Sequence, residues 1–90
     1  MEPFYTGHEK KIHYILTKRV IKRYGIKPKN IAQIHFKCLR PSETIPLWTV
    51  KVSIYEAGRY DTGYSDNFYT KDCISHGFYI TWANLKKGNF

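Results

Sequence analysis

Four histidines, two cysteines and fifteen lysines and arginines are the side chains of this 90-residue chain with chemistry to offer. His8, His13, His35 and His76, with Cys38 and Cys73, are the donor types that a zinc site draws on. Cys73-Ile74-Ser75-His76 has one pair at a ligand spacing, but His8 and His13 stand about 140° apart on a helix and share no face. No metal and no cofactor is therefore expected. The two cysteines, with no C-x-x-C spacing and no secretory context, read as reduced thiols. His35, Lys37, Tyr55, Arg59 and His76 are residue types with which a small ribonuclease toxin moves a proton and steadies a phosphorane. Yet the chain has no Gly-rich phosphate loop, paired-carboxylate signature or nucleophile elbow to order such groups. No catalytic residue is assigned, and a ribonuclease stands as an alternative to a non-enzymatic binding protein.

The cations carry the stronger signal. The formal net charge is +8, and the whole of that excess lies in residues 1–40. From Lys10 to Ser42 no acidic residue occurs, so the charge has no local neutralisation. At 100° per residue, Lys11, Lys18 and Lys22 fall on the side of a helix opposite its apolar ridge, with Arg19 beside them. Arg23, Lys27, Lys29 and Lys37 continue the acid-free run, and together these eight residues form the candidate anion-binding set. The implied partner is nucleic acid, or an acidic protein or ribonucleoprotein surface.

Aromatic residues supply a second chemistry. Eight tyrosines are present; Tyr55 and Tyr79 are expected to face outward from the strands and Tyr60 and Tyr64 to lie on the arms of a hairpin, and these four are candidates to stack on unpaired bases or anchor a protein partner. His35, Lys37, Lys51, Ser53, Tyr55, Tyr79 and Thr81 form the expected outward register of the strands. An inhibitor reading uses the same features: the basic helix would engage an acidic nucleic-acid channel of a host or defence enzyme, with Tyr60 and Tyr64 as anchors. The abundance of Lys, Ile, Tyr, Phe and Asn suits an A/T-rich gene, as in a low-GC bacterium, its phages or another mobile element, and fits many eukaryotic genes equally. With no run of about 18 apolar residues and no signal-peptide core, the expectation is a cytoplasmic protein without a membrane partner.

These side chains need elements to hold them. Residues 10–25 read as one amphipathic helix, entered through a capping box at Thr6 to Glu9 and closed at Gly25. Its ridge is Ile12, Leu16, Val20 and Tyr24, widened by Ile21 and Tyr14. Asn30 to Arg40 alternates Ile34, Phe36 and Cys38 with Gln33, His35 and Lys37, as a half-buried strand does. Leu47 to Glu56 repeats the pattern with Trp48, Val50, Val52 and Ile54, and is expected to be a central strand. A tight turn at Asp61-Thr62-Gly63 would make residues 57–67 a projecting hairpin, and Phe68 to Thr70 would add a short strand. Gly77 to Ala83 closes the set with Phe78, Ile80 and Trp82 inward, and residues 84–90 read as a frayed tail. The fold class is α+β, one N-terminal amphipathic helix packed on a three- to four-stranded antiparallel sheet, with residues 1–90 a single small basic domain.

Overall fold

The computed structural model describes residues 7–73 and 77–87; among these, the side chains of Gly7, His8 and residues 60–62 are left aside. The order of elements is helix α1 (Gly7–Tyr24), strands β1 (Ile31–Leu39), β2 (Trp48–Glu56), β3 (Arg59–Thr70) and β4 (Gly77–Ile80), and a short helix α2 (Trp82–Lys86). The four strands form one antiparallel sheet in the order β3-β2-β1-β4. The last strand returns beside the first, which is the Greek-key order. The expected α+β class and the helix-on-sheet packing are both present. No described helix is long and apolar enough to cross a membrane.

One sheet face carries the core. Pairing aligns Ile80, Ile34, Ile54 and Tyr64 in one row, Phe78, Phe36, Val52 and Asp66 in the next, and Cys38, Val50 and Phe68 in a third. Because successive strand residues point to opposite faces, this set lies on one side, and α1 and α2 cover it. Val20, Ile34, Val52, Ile54 and Leu85 are fully buried there.

The helix sits on the sheet along a different line from the expected ridge. Its buried positions are Glu9, His13, Thr17 and Val20, whereas Ile12 and Tyr24 are each about two-fifths exposed. The reason is that α1 has two neighbours. Leu16 flanks the buried line on one side, while Tyr14 and Ile21 flank it on the other, where Tyr14 stacks on Trp82 of α2 at 5.3 Å. The midline between the two apolar flanks therefore falls on polar residues. His13 is tolerated because its ring lies flat on Phe36, with centroids 4.1 Å apart and planes 20° apart. Thr17 satisfies its hydroxyl by donating to the His13 carbonyl at 2.7 Å.

Three boundaries differ from expectation. Gly25, at φ 63°, ends α1 as read, but the hairpin turn is Ala57-Gly58, with Gly58 at φ 77°. The chain reverses there, so Asp61 to Gly63 fall inside β3, which reaches Thr70 but shifts register against β2 between the Glu56–Arg59 and Ile54–Tyr64 pairs. The last strand stops at Ile80 rather than Ala83, and α2 takes in Trp82 and Ala83 together with Asn84 to Lys86 of the segment read as a frayed tail; Thr81 starts it, its hydroxyl accepting from the Asn84 N–H at 3.1 Å. Leu85 then plugs the core. The expected cap at Thr6 lies outside the described residues.

Candidate nucleic-acid interface

Among the described residues no helix lies on the second face of the sheet. It presents Gln33, His35, Lys37 and Leu39 from β1, Thr49, Lys51, Ser53 and Tyr55 from β2, and Tyr79 from β4. β3 adds Ser65, Asn67 and Tyr69, so most of the outward register expected from the sequence lies on one continuous surface.

Register decides which of these meet. His35 stands between Tyr79 on β4 and Ser53 on β2, and its ring stacks on Tyr79 with centroids 4.2 Å apart and planes 12° apart. Tyr79 sits on the edge strand and is 58% exposed, which leaves the side of its ring away from His35 open. One step along the strands, Lys37 and Lys51 are direct cross-strand partners. Like charges set opposite each other destabilise a sheet, and among the described residues neither lysine has an ion pair to relieve the repulsion. Ser53 and Thr49 lie buried between these longer side chains.

The same lysines act on His35. Partial burial, then Lys37 and Lys51, hold its pKa below the usual imidazole value, so the ring is neutral at pH 7. Tyr55 reaches across to β3, where Gly63 makes room for it; a Cβ on Gly63 would stand 2.7 Å from Tyr55 Cε1. The face is thus a shallow platform with a two-ring stack at one edge, a pair of uncompensated cations in the middle and further tyrosines around them. Phosphates suit the lysines and unpaired bases suit the rings.

The remaining predicted site residues lie elsewhere. Lys11, Lys18, Arg19 and Lys22 are exposed on the side of α1 turned away from the sheet, and so on the opposite side of the molecule from Lys37, Tyr55 and Tyr79. The basic helix and the tyrosine platform are separate surfaces. Lys27 and Lys29 are exposed in the connection around the 3-10 turn Pro28–Asn30. Arg23 donates to Asp66 of β3 at 2.7 Å, and Tyr24 donates to the Ser65 carbonyl at 3.0 Å, so both clasp the end of α1 to the sheet. Tyr64 packs half-buried against Tyr24 on the core side. The side chain of Tyr60 and all of His76 lie outside the described residues. Thr81, expected on the outward face, caps α2 instead. Asn67 escaped sequence reading because residues 57–67 looked like a hairpin, and Tyr69 was read in the short strand 68–70 without being given a face; the alternation of Phe68 with its polar neighbours was the available signal.

A second concavity, of about 380 Å³, lies under the N-terminal half of α1 and is lined by Glu9, His13, Cys38 and Cys73 among others. The Cys73 thiol is raised in pKa by burial, against the opposing effect of a hydrogen bond with Cys38, so the two thiols adjoin. Burial also lowers His13 to about 4, opposed by Glu9 four residues earlier. Among the described residues no group of three or more His, Cys, Asp and Glu could hold a metal ion.

No protein-family model matches the chain, and no curated protein and no solved structure matches it either. The geometry of these surfaces is what bears on function.

Proposed function

We propose that the protein binds single-stranded nucleic acid on the open face of its sheet. The observation that carries this is the cross-strand pair Lys37 and Lys51 beside the His35–Tyr79 stack, with no described helix over either. Two phosphates bound there would relieve the repulsion between the lysines, and a base laid on the free side of Tyr79 would extend the existing stack. A duplex fits less well, because its bases are already paired and stacked and could not use the tyrosine. Binding is favoured over ribonuclease chemistry because the one described imidazole of this face, His35, lies stacked on Tyr79, an arrangement that a base can extend.

Fluorescence anisotropy with labelled 12-nucleotide single strands tests the proposal. Lys37→Ala with Lys51→Ala should make the log-log salt slope shallower by about 1.4, two phosphates at about 0.7 each. Tyr79→Ala should cost about 1–3 kcal/mol of affinity. Equal binding by the wild type and by all three substitutions combined would remove the sheet face from any role.

A further inference from the structure

The side of the molecule with the two helices has a feature that the sheet face does not use. Between α1 and α2 runs a shallow groove of about 470 Å³. Its floor is apolar: Ile15, Ile21 and the stacked pair Tyr14 and Trp82 line it. Lys18, Arg19 and Lys22 also line it, and among the described residues no carboxylate does. We infer that this groove is a docking site for an acidic peptide segment that carries apolar side chains, a second binding surface independent of the nucleic-acid reading.

Three observations select that occupant. Ile15 is 42% exposed in the middle of the basic stripe, where a purely solvated face would carry another polar residue. No acidic residue lies within α1 after Glu9, and among the described residues no carboxylate forms an ion pair with Lys18, Arg19 or Lys22, so the rim attracts carboxylates. The aromatic floor is already engaged within the protein. Tyr14 and Trp82 lie 7° from parallel, Lys18 Nζ is 5.4 Å from the Tyr14 ring centre and Lys86 Nζ is 5.9 Å from that of Trp82. Little ring face remains to stack on a nucleotide base, while the aliphatic walls Ile15 and Ile21 offer nothing to a sugar or phosphate. An aliphatic or aromatic side chain flanked by Asp or Glu satisfies both walls and rim, as in an amphipathic segment laid in a groove. The groove is firmly built, because Leu85 of α2 is fully buried in the core and Thr81 caps that helix.

Random 12-residue peptides displayed on phage and selected on the immobilised protein would test this. Selected sequences should combine Asp or Glu with Leu, Ile, Phe or Trp, and a fluorescein-labelled synthetic representative should bind in solution. Ile15→Asp, and separately Lys18→Glu with Lys22→Glu, should weaken that peptide by tenfold or more. Ile15→Asp lies on the exposed side of α1, so its melting temperature and its affinity for the 12-nucleotide strand should stay at wild-type values. The inference is overturned if selection yields nothing above background, if selected peptides lack acidic residues, or if Ile15→Asp binds them undiminished. Displacement of the peptide from the wild type by the 12-nucleotide strand would overturn it in favour of nucleic acid at this groove. Binding to phosphatidylserine-containing vesicles that Ile15→Asp abolishes would overturn it in favour of a membrane surface. Loss of oligonucleotide binding in the Lys37 and Lys51 variants leaves these outcomes untouched, so the two readings fail separately.

Discussion

Replacing His13 by Leu should make the protein's stability much less sensitive to mild acid. His13 is only 7% exposed, stacked on Phe36 and tilted against Phe78, and desolvation holds its pKa at about 4 despite the nearby Glu9 carboxylate. In the unfolded chain the imidazole returns to about 6.5. Between those values the unfolded state binds a proton that the folded state refuses, so stability is fully present above about pH 6.5 and falls as pH drops towards 4. For a shift from 6.5 to about 4, the linkage integral gives a loss of about 2 kcal/mol at pH 5 and about 3.4 kcal/mol well below pH 4. At about 4–8 °C per kcal/mol for a domain of this size, the wild type should melt about 8–16 °C lower at pH 5 than at pH 7.5. His13→Leu has a similar volume and no titrating group, so circular-dichroism melting curves should show that drop largely removed. Subtracting the two proteins cancels the carboxylates common to both. Parallel losses of melting temperature in wild type and variant would refute the reasoning, as would an NMR titration placing the His13 pKa near 6.5.

Val52→Asp should abolish cooperative unfolding, since Val52 is fully buried at the centre of the core and an isolated buried carboxylate costs several kcal/mol, a large part of a small domain's stability. Alkylation under denaturing, non-reducing conditions should label both Cys38 and Cys73, whereas prior treatment of the folded protein with diamide should protect the pair by a bridge, because the thiols adjoin. Thr81→Ala removes the N-cap of α2 and should cost about 1 kcal/mol in denaturant titration. Anisotropy titrations should show Lys11→Glu, Lys18→Glu and Lys22→Glu together reducing single-strand binding less than Lys37→Glu with Lys51→Glu, because the helix stripe lies on the far side of the sheet. A phosphate bound beside Lys37 and Lys51 should raise the lowered pKa of His35, so single-strand affinity should increase as pH falls below neutrality, and His35→Ala should remove that increase.

The period-two runs in 31–39 and 48–56 were enough to place β1 and β2, and to separate Ile34, Phe36, Val50, Val52 and Ile54 from His35, Lys37, Lys51 and Tyr55. Alternation is a local property of an extended chain, so any sheet built from these strands must keep those two sets on opposite faces. The end of α1 at Gly25 and the lack of acidic neighbours for its lysines were equally local. Other features depended on partners distant in sequence. The rotation of α1 that buries Glu9, His13 and Thr17 is set by α2, whose Trp82 competes with the sheet for the apolar flank of the helix. The length of β3 was not legible locally, since Asp61-Thr62-Gly63 has turn-forming residues; the pairing of Tyr64 to Thr70 and of Arg59 with β2 brackets that stretch, and the register shifts across it. The pairing of Lys37 with Lys51 and the stacking of His35 on Tyr79 follow from strand register and from the return of β4 beside β1. Composition and periodicity determined that the chain would have a basic helix and a polar, tyrosine-bearing sheet face. Only the tertiary structure decided that these surfaces lie back to back, because a helix that covers one face of a sheet must turn its charged side away from the other.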